Sequence, residues 1–214
     1  MHECTEVFTD MWFRAVWPRR RESPPHLTDW TFLCLVFKYA PEFENLTRKA
    51  VFASTSTFED NDLPLPQWVA GEIALRRVST IDAAIDHLRD LLNSYMSDRQ
   101  QCFCRQNCDA MVLGSLIKGL NARGLFPLAE AGALDIPIRE LFARLRAMNV
   151  ACLCETDSRQ VVLNQDLNRG LKGQLESTLS KLESQVSDWK LADHLPRPAF
   201  SESSQAGSQQ PKPN

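Results

Sequence analysis

Along most of this chain apolar residues recur three and four positions apart, the spacing of a helix that buries one face. Phe8, Trp12 and Val16, with Ala15 beside them, make the first such face and predict a helix that stops at Trp17-Pro18. The following RRRESPP reads as a solvated linker, because prolines and Glu22 accompany its arginines. Thr28 or Asp29 is placed to cap a second helix with Trp30, Leu33, Cys34 and Phe37 inward, and Pro41 is expected to end it. Proline suits a first helical turn, so PEFENLTRKAVFA reads as a third helix carrying Phe43, Leu46, Ala50 and Ala53 inward. These two should form a hairpin, after which STSTFEDND and LPLPQ read as loop.

Pro66 to Met96 is predicted to be one long helix or two stacked ones, with Val78, Ile81, Ile85, Leu88, Leu92 and Tyr95 as its seam. That seam is too short for a freestanding zipper and suits a packed bundle helix, whose weak point is Val78-Ser79-Thr80. Asp109 is expected to cap AMVLGSLIKGLNAR, whose apolar face is Met111, Leu113, Leu116, Ile117 and Leu120, and Gly124 to end it in a left-handed conformation. LFPLAEAGALDIP reads as a loop, and Pro137 starts a short helix with Ile138, Leu141, Phe142 and Leu145 inward. A last helix is predicted from about Asn164 to Trp189 on the stripe Leu167, Leu171, Leu175, Leu179, Leu182, Val186 and Trp189. Strand patterns are limited to the short segments CLCET and QVVL.

The expected fold is therefore all-α, an irregular bundle of about six to eight helices. With 43% hydrophobic residues, a 214-residue chain can bury a core, and a single domain over residues 1–195 is expected. Beyond it, residues 196–214 are rich in Pro, Ser and Gln and should be disordered, since they cannot bury enough to offset their ordering entropy. Trp30, Phe37, Leu46 and Leu116 are expected in the core.

Charge removes some functions. Lys and Arg total 24 against 27 for Asp and Glu, a net charge of -3, so the basic excess of a phosphate-neutralising nucleic-acid binder is missing. No apolar run reaches the roughly 18 residues that suggest a membrane span, and the acidic start MHECTEVFTD is unlike a secretory signal. The expected setting is intracellular, cytoplasmic or nuclear, with no membrane partner. The histidines, His2, His26, His87 and His194, have no nucleophile beside them, and no GxxxxGK[ST], GxGxxG or HExxH motif occurs. No catalytic residue is assigned and no enzyme is expected.

Seven cysteines in such a chain point to free thiols or metal ligands rather than a disulfide framework. Cys102, Cys104 and Cys108 form a CxCxxxC run, and Cys152 and Cys154 a CxC after the following elements. Together they could supply a tetrahedral thiolate site for structural zinc joining two loops. Buried free cysteine is also common, and both readings stay open.

The order of segments resembles a family of fungal BTB/POZ domain proteins, in the helical region that follows the BTB fold. The carriers are MWFRAVW, LTDWTFLCLVFKYAPEFENLTRKAV, DLPLPQWV, HLRDLLNSY, CRQNCDAMVLGSLIKGLNARGLFP, IRELFARLRAMNV and VSDWKLADHL, spanning about Trp12 to Leu195. The resemblance implies a non-enzymatic helical module of a scaffold or adaptor that binds a protein partner. The strands and helices of a BTB domain itself are not in the chain. Where that family tends to carry a His and a Cys, near SRQVVL, neither residue stands here. On this reading Phe8, Trp12 and Val16 form an apolar contact face where a BTB domain would otherwise sit. Two other classes were open to the residues: a zinc-stabilised regulator using the cysteine loops 102–108 and 152–154, and a thiol enzyme with one low-pKa cysteine.

Overall fold

A computed structural model describes residues 2–20, 26–55, 63–97, 107–151 and 161–186. Among them the chain forms seven α-helices and no strand: α1 (His2–Arg20), α2 (Leu27–Val36), α3 (Ala40–Ala53), α4 (Gln67–Met96), α5 (Cys108–Asn121), α6 (Ile138–Arg146) and α7 (Val161–Gln185). One 3-10 turn, Ala131–Ala133, interrupts the loop between α5 and α6. Val161 to Leu163 of the QVVL segment lie in α7, so the strand considered there is not formed. CLCET beyond Ala151 and the tail 196–214 lie outside the described residues.

The 30-residue α4 is the axis of the bundle, packing against α3, α5, α6, α7 and the 3-10 turn. It is a single helix, unbroken at Val78-Ser79-Thr80. The hydroxyls there turn back onto their own helix, Thr80 and Ser79 both donating to the Arg76 carbonyl at 2.7 and 3.1 Å, so neither competes with the ladder from outside. Buried side chains from Phe13 to Val186 form one connected core.

The predicted faces of α2 and α3 are rotated. In α2 the buried set is Thr28, Trp30, Thr31 and Cys34, while Leu33 is half-buried and Phe37 is 41% exposed. Thr31 turns its hydroxyl to the Leu27 carbonyl at 2.8 Å, which satisfies it internally and lets a residue read as polar sit at the centre of the core face. Thr47 does the same to Phe43 in α3, at 2.8 Å, where Val51 rather than Ala53 completes the buried set. Pro41 does not end α2. The helix closes three residues earlier, where Lys38 adopts φ 58° while Tyr39 N–H donates to the Cys34 carbonyl and Lys38 N–H to the Leu35 carbonyl. Pro41 instead stands in the first turn of α3.

Gly124, at φ 67°, closes α5 by the same device, Leu125 N–H reaching the Leu120 carbonyl at 2.9 Å. Asp109 is not the cap. Asn107 precedes the helix, and Asp109 stands inside its first turn, where a carboxylate complements the helix dipole. The inward residues of α5 are Cys108, Val112, Leu116 and Leu120, four apart, whereas Met111 is exposed. In α6 all four predicted residues, Ile138, Leu141, Phe142 and Leu145, are buried behind Pro137. The α7 stripe is buried from Leu171 through Val186; Trp189 lies outside the described residues.

An unforeseen element of the core is Arg77, 2% exposed on the inward side of α4. Its Nε donates to the Ser54 carbonyl at 3.1 Å, and one terminal nitrogen donates to the carbonyls of Leu134 and Ile136. It joins the end of α3 to the loop that enters α6. Burial lowers its pKa, and Asp135 opposes that shift.

Candidate interaction surface

Helix α1 is attached through large aromatic rings. Among its described side chains Phe13 and Trp17 are buried, with Val16 half-buried beside them. Phe13 stacks on Tyr39 with centroids 4.0 Å apart, and Trp17 meets Trp30 at 5.5 Å. The Tyr39 hydroxyl donates to Asp10 Oδ1 at 3.2 Å, and Asp10 Oδ2 pairs with Arg14 at 2.8 Å. Burial, then the bond to Asp10, raises the Tyr39 pKa. Asp10 and Phe13 meet Tyr39 just past α2, while Trp17 meets Trp30 near its start, so α1 runs opposite to α2.

The inward line of α1 is thus Phe13 and Trp17, one residue round from the expected stripe. Of that stripe, Phe8 is 74% exposed and Trp12 43%, while Val16 is drawn against the core. Trp12 has a divided role: one ring face stacks on Trp30, with centroids 6.0 Å apart and planes 9° apart, and the remainder faces solvent. Val7 and Met11, outside the expected stripe, are also exposed. Val7, Phe8, Met11 and Trp12 recur at i, i+1, i+4 and i+5, which places all four along one side of the helix. Sequence alone could not assign the two sides, because apolar residues lie on both. Val36 and Phe37 add exposed apolar surface at the end of α2, near which Tyr39 receives α1. The helix also continues through Trp17-Pro18 to Arg20. A proline this near the last turn forgoes one backbone bond, the one to the Arg14 carbonyl.

Of the proposed metal ligands only Cys108 is described; Cys102, Cys104, Cys152 and Cys154 lie outside the described residues. Cys108 is fully buried in the first turn of α5. The chain leaving α6 passes back along α5: Arg123 donates to the Ala147 carbonyl, and Ala151 N–H donates to Ser115 Oγ at 2.9 Å. It is therefore travelling toward the Cys108 end when the description stops, with Ser115 about 10 Å along the axis from Cys108 at 1.5 Å per residue. Among the described residues no group of three or more His, Cys, Asp or Glu side chains could hold a metal ion.

Cys34 is a free thiol. It is fully buried, and burial reinforced by Glu42 pushes its pKa up to about 12, the reverse of what a nucleophilic cysteine requires. None of the helices in the described residues is long and apolar enough to cross a membrane. No protein-family model matches the chain, and no curated protein or solved structure does either.

Proposed function

We propose that this chain is a non-enzymatic helical protein-interaction module, akin to the region that follows the BTB fold in fungal BTB/POZ proteins, and that it meets its protein partner through the outer side of α1. The supporting observation is the exposed line Val7, Phe8, Met11 and Trp12 on a helix anchored by its other side. Clustered exposed apolar side chains mark contact sites more often than isolated ones do. Trp12 suits the role of anchor, because its stack on Trp30 already restrains the ring and little rotamer freedom is lost on binding.

The test is site-specific photocrosslinking in cells. A benzophenone side chain at Met11 should give discrete protein adducts, and one at exposed Lys172 on α7 should not. Adding Phe8→Asp should remove the Met11 adducts while leaving the melting temperature unchanged. Equal labelling from both positions would refute the reading.

A second reading, a zinc-stabilised regulator, draws on the course of residues 147–151 along α5 toward Cys108. It predicts about one zinc per chain in protein purified without chelator, and loss of that zinc in Cys108→Ser; metal-free protein with unchanged stability would refute it.

A further inference from the structure

Helix α1 shows solvent a face of uneven depth. At about 100° per residue, Arg14, Val7, Met11, Ala15, Phe8 and Trp12 follow one another round about 160° of the helix, and all of them are exposed. Phe13 and Trp17, on the opposite side, tie the helix to the core. Phe8 and Ala15 are seven residues apart, so they lie on nearly one line along the helix, about 10 Å from each other at 1.5 Å per residue. Phe8 presents a ring that is 74% exposed, whereas Ala15 leaves a shallow gap beside Met11 and Trp12.

Charge follows the same plan. Asp10 and Arg14 stand together on one edge of this face, paired at 2.8 Å, with side chains 39% and 78% exposed. An edge with one acid and one base four residues apart is complementary to itself when reversed. Turning a second helix end for end, about a two-fold axis level with Met11 and Trp12, sets the same edge of both copies side by side. Each Phe8 ring then lies over the other copy's Ala15, and each Arg14 comes within one residue's rise of the other copy's Asp10. A guanidinium has five N–H donors, so it can serve both carboxylates. Parallel pairing has neither property: it sets Phe8 against Phe8, and the Asp10–Arg14 edge against the Trp12 edge.

We propose that the partner of α1 is a second copy of this chain, the two α1 helices packing antiparallel with Phe8 of each seated on Ala15 of the other. The inference rests on the reading of the outer side of α1 as a contact face. Ring into gap and acid against base ask for the same antiparallel register to within one residue, an agreement that a face for an unrelated partner does not require.

The test is sedimentation velocity of the purified full chain over a concentration series. The unmodified chain is expected to pass from monomer to dimer as concentration rises, and Phe8→Asp to remain monomeric with an unchanged circular dichroism spectrum. Ala15→Leu separates a seated pair from indiscriminate apolar association: it adds apolar surface at an exposed helix position, yet it fills the gap and should weaken the dimer about tenfold or more. An unmodified chain that stays monomeric up to about 0.1 mM would overturn the proposal. So would a dimer indifferent to Phe8→Asp, or one left equal or strengthened by Ala15→Leu. Photoadducts from Met11 in cells distinguish this failure from that of the contact-face reading. Adducts to other proteins alone, with a monomeric purified chain, sink the second copy but keep the face; no adduct of any kind sinks both.

Discussion

Replacing Arg77 with alanine should be among the most damaging single changes in this protein. Arg77 is 2% exposed, and its guanidinium donates to three main-chain carbonyls, those of Ser54, Leu134 and Ile136, from two segments more than fifty residues apart. Each carbonyl stranded by its removal costs about 1 to 3 kcal/mol. The low end applies here because the loop at 134–136 lies near solvent, with Asp135 exposed. Three carbonyls then account for about 3 kcal/mol, and the void left inside α4 adds about 1 kcal/mol or more. Relief of the buried charge's desolvation offsets part of this, which leaves a net loss of about 3 to 5 kcal/mol. Arg77→Met forfeits the same bonds but keeps most of the volume, so it should avoid only the void and cost about 1 kcal/mol less than alanine. The assay is urea unfolding followed by far-UV circular dichroism. The alanine variant should also melt roughly 6 to 20 °C lower, at about 2 to 4 °C per kcal/mol for a chain of this size. Hydrogen exchange supplies the local readout: amides in the loop entering α6 should open faster even where the global transition is unaffected. An alanine variant within about 1 kcal/mol of the unmodified protein, with unchanged exchange in that loop, would refute the idea that Arg77 ties the loop to α3.

Leu116→Ala removes a 1%-exposed side chain from the inward line of α5 and should cost about 2 to 5 kcal/mol in the same unfolding assay. Burial lowers the His87 pKa below its ordinary 6.5, Asp90 opposing, so the unfolded chain binds the proton more readily than the folded one. The stability His87 contributes is therefore present above about pH 6.5 and is lost as pH falls through its folded pKa. His87→Gln should flatten the pH dependence of the unfolding midpoint between about pH 7.5 and 5. Arg146 holds α6 to α7, bidentate on Glu183 at 2.9 and 3.0 Å and through Nε on Glu176 at 3.1 Å. Arg146→Ala should cost about 1 kcal/mol, less in high salt because the network is partly exposed, and should speed amide exchange in α7 ahead of α4.

Periodicity alone determined which segments are helices. It did so best in α6 and α7, where a single apolar face stands against a polar one and only one orientation buries it: all four α6 residues and the α7 line from Leu171 to Val186 are inward. The Gly124 closure of α5 was legible for a local reason, since glycine takes positive φ without a Cβ clash. What sequence could not decide were the helices with apolar residues on two sides. In α1 the rings of Trp30 and Tyr39 select Phe13 and Trp17 and leave Phe8 and Met11 outside, a choice made by a neighbouring helix rather than by α1. In α2 a threonine hydroxyl bonded to its own helix moved the core face away from Phe37, and hydropathy counts Thr31 as polar because it has no knowledge of that bond. Arg77 shows the same limit most sharply. A charged residue is assigned to the surface by composition, and only the convergence of three carbonyls from distant segments makes its burial favourable. Local preference sets the elements, whereas the facing partners, which exist only once the chain has folded, set which side of each element is core and which stays exposed.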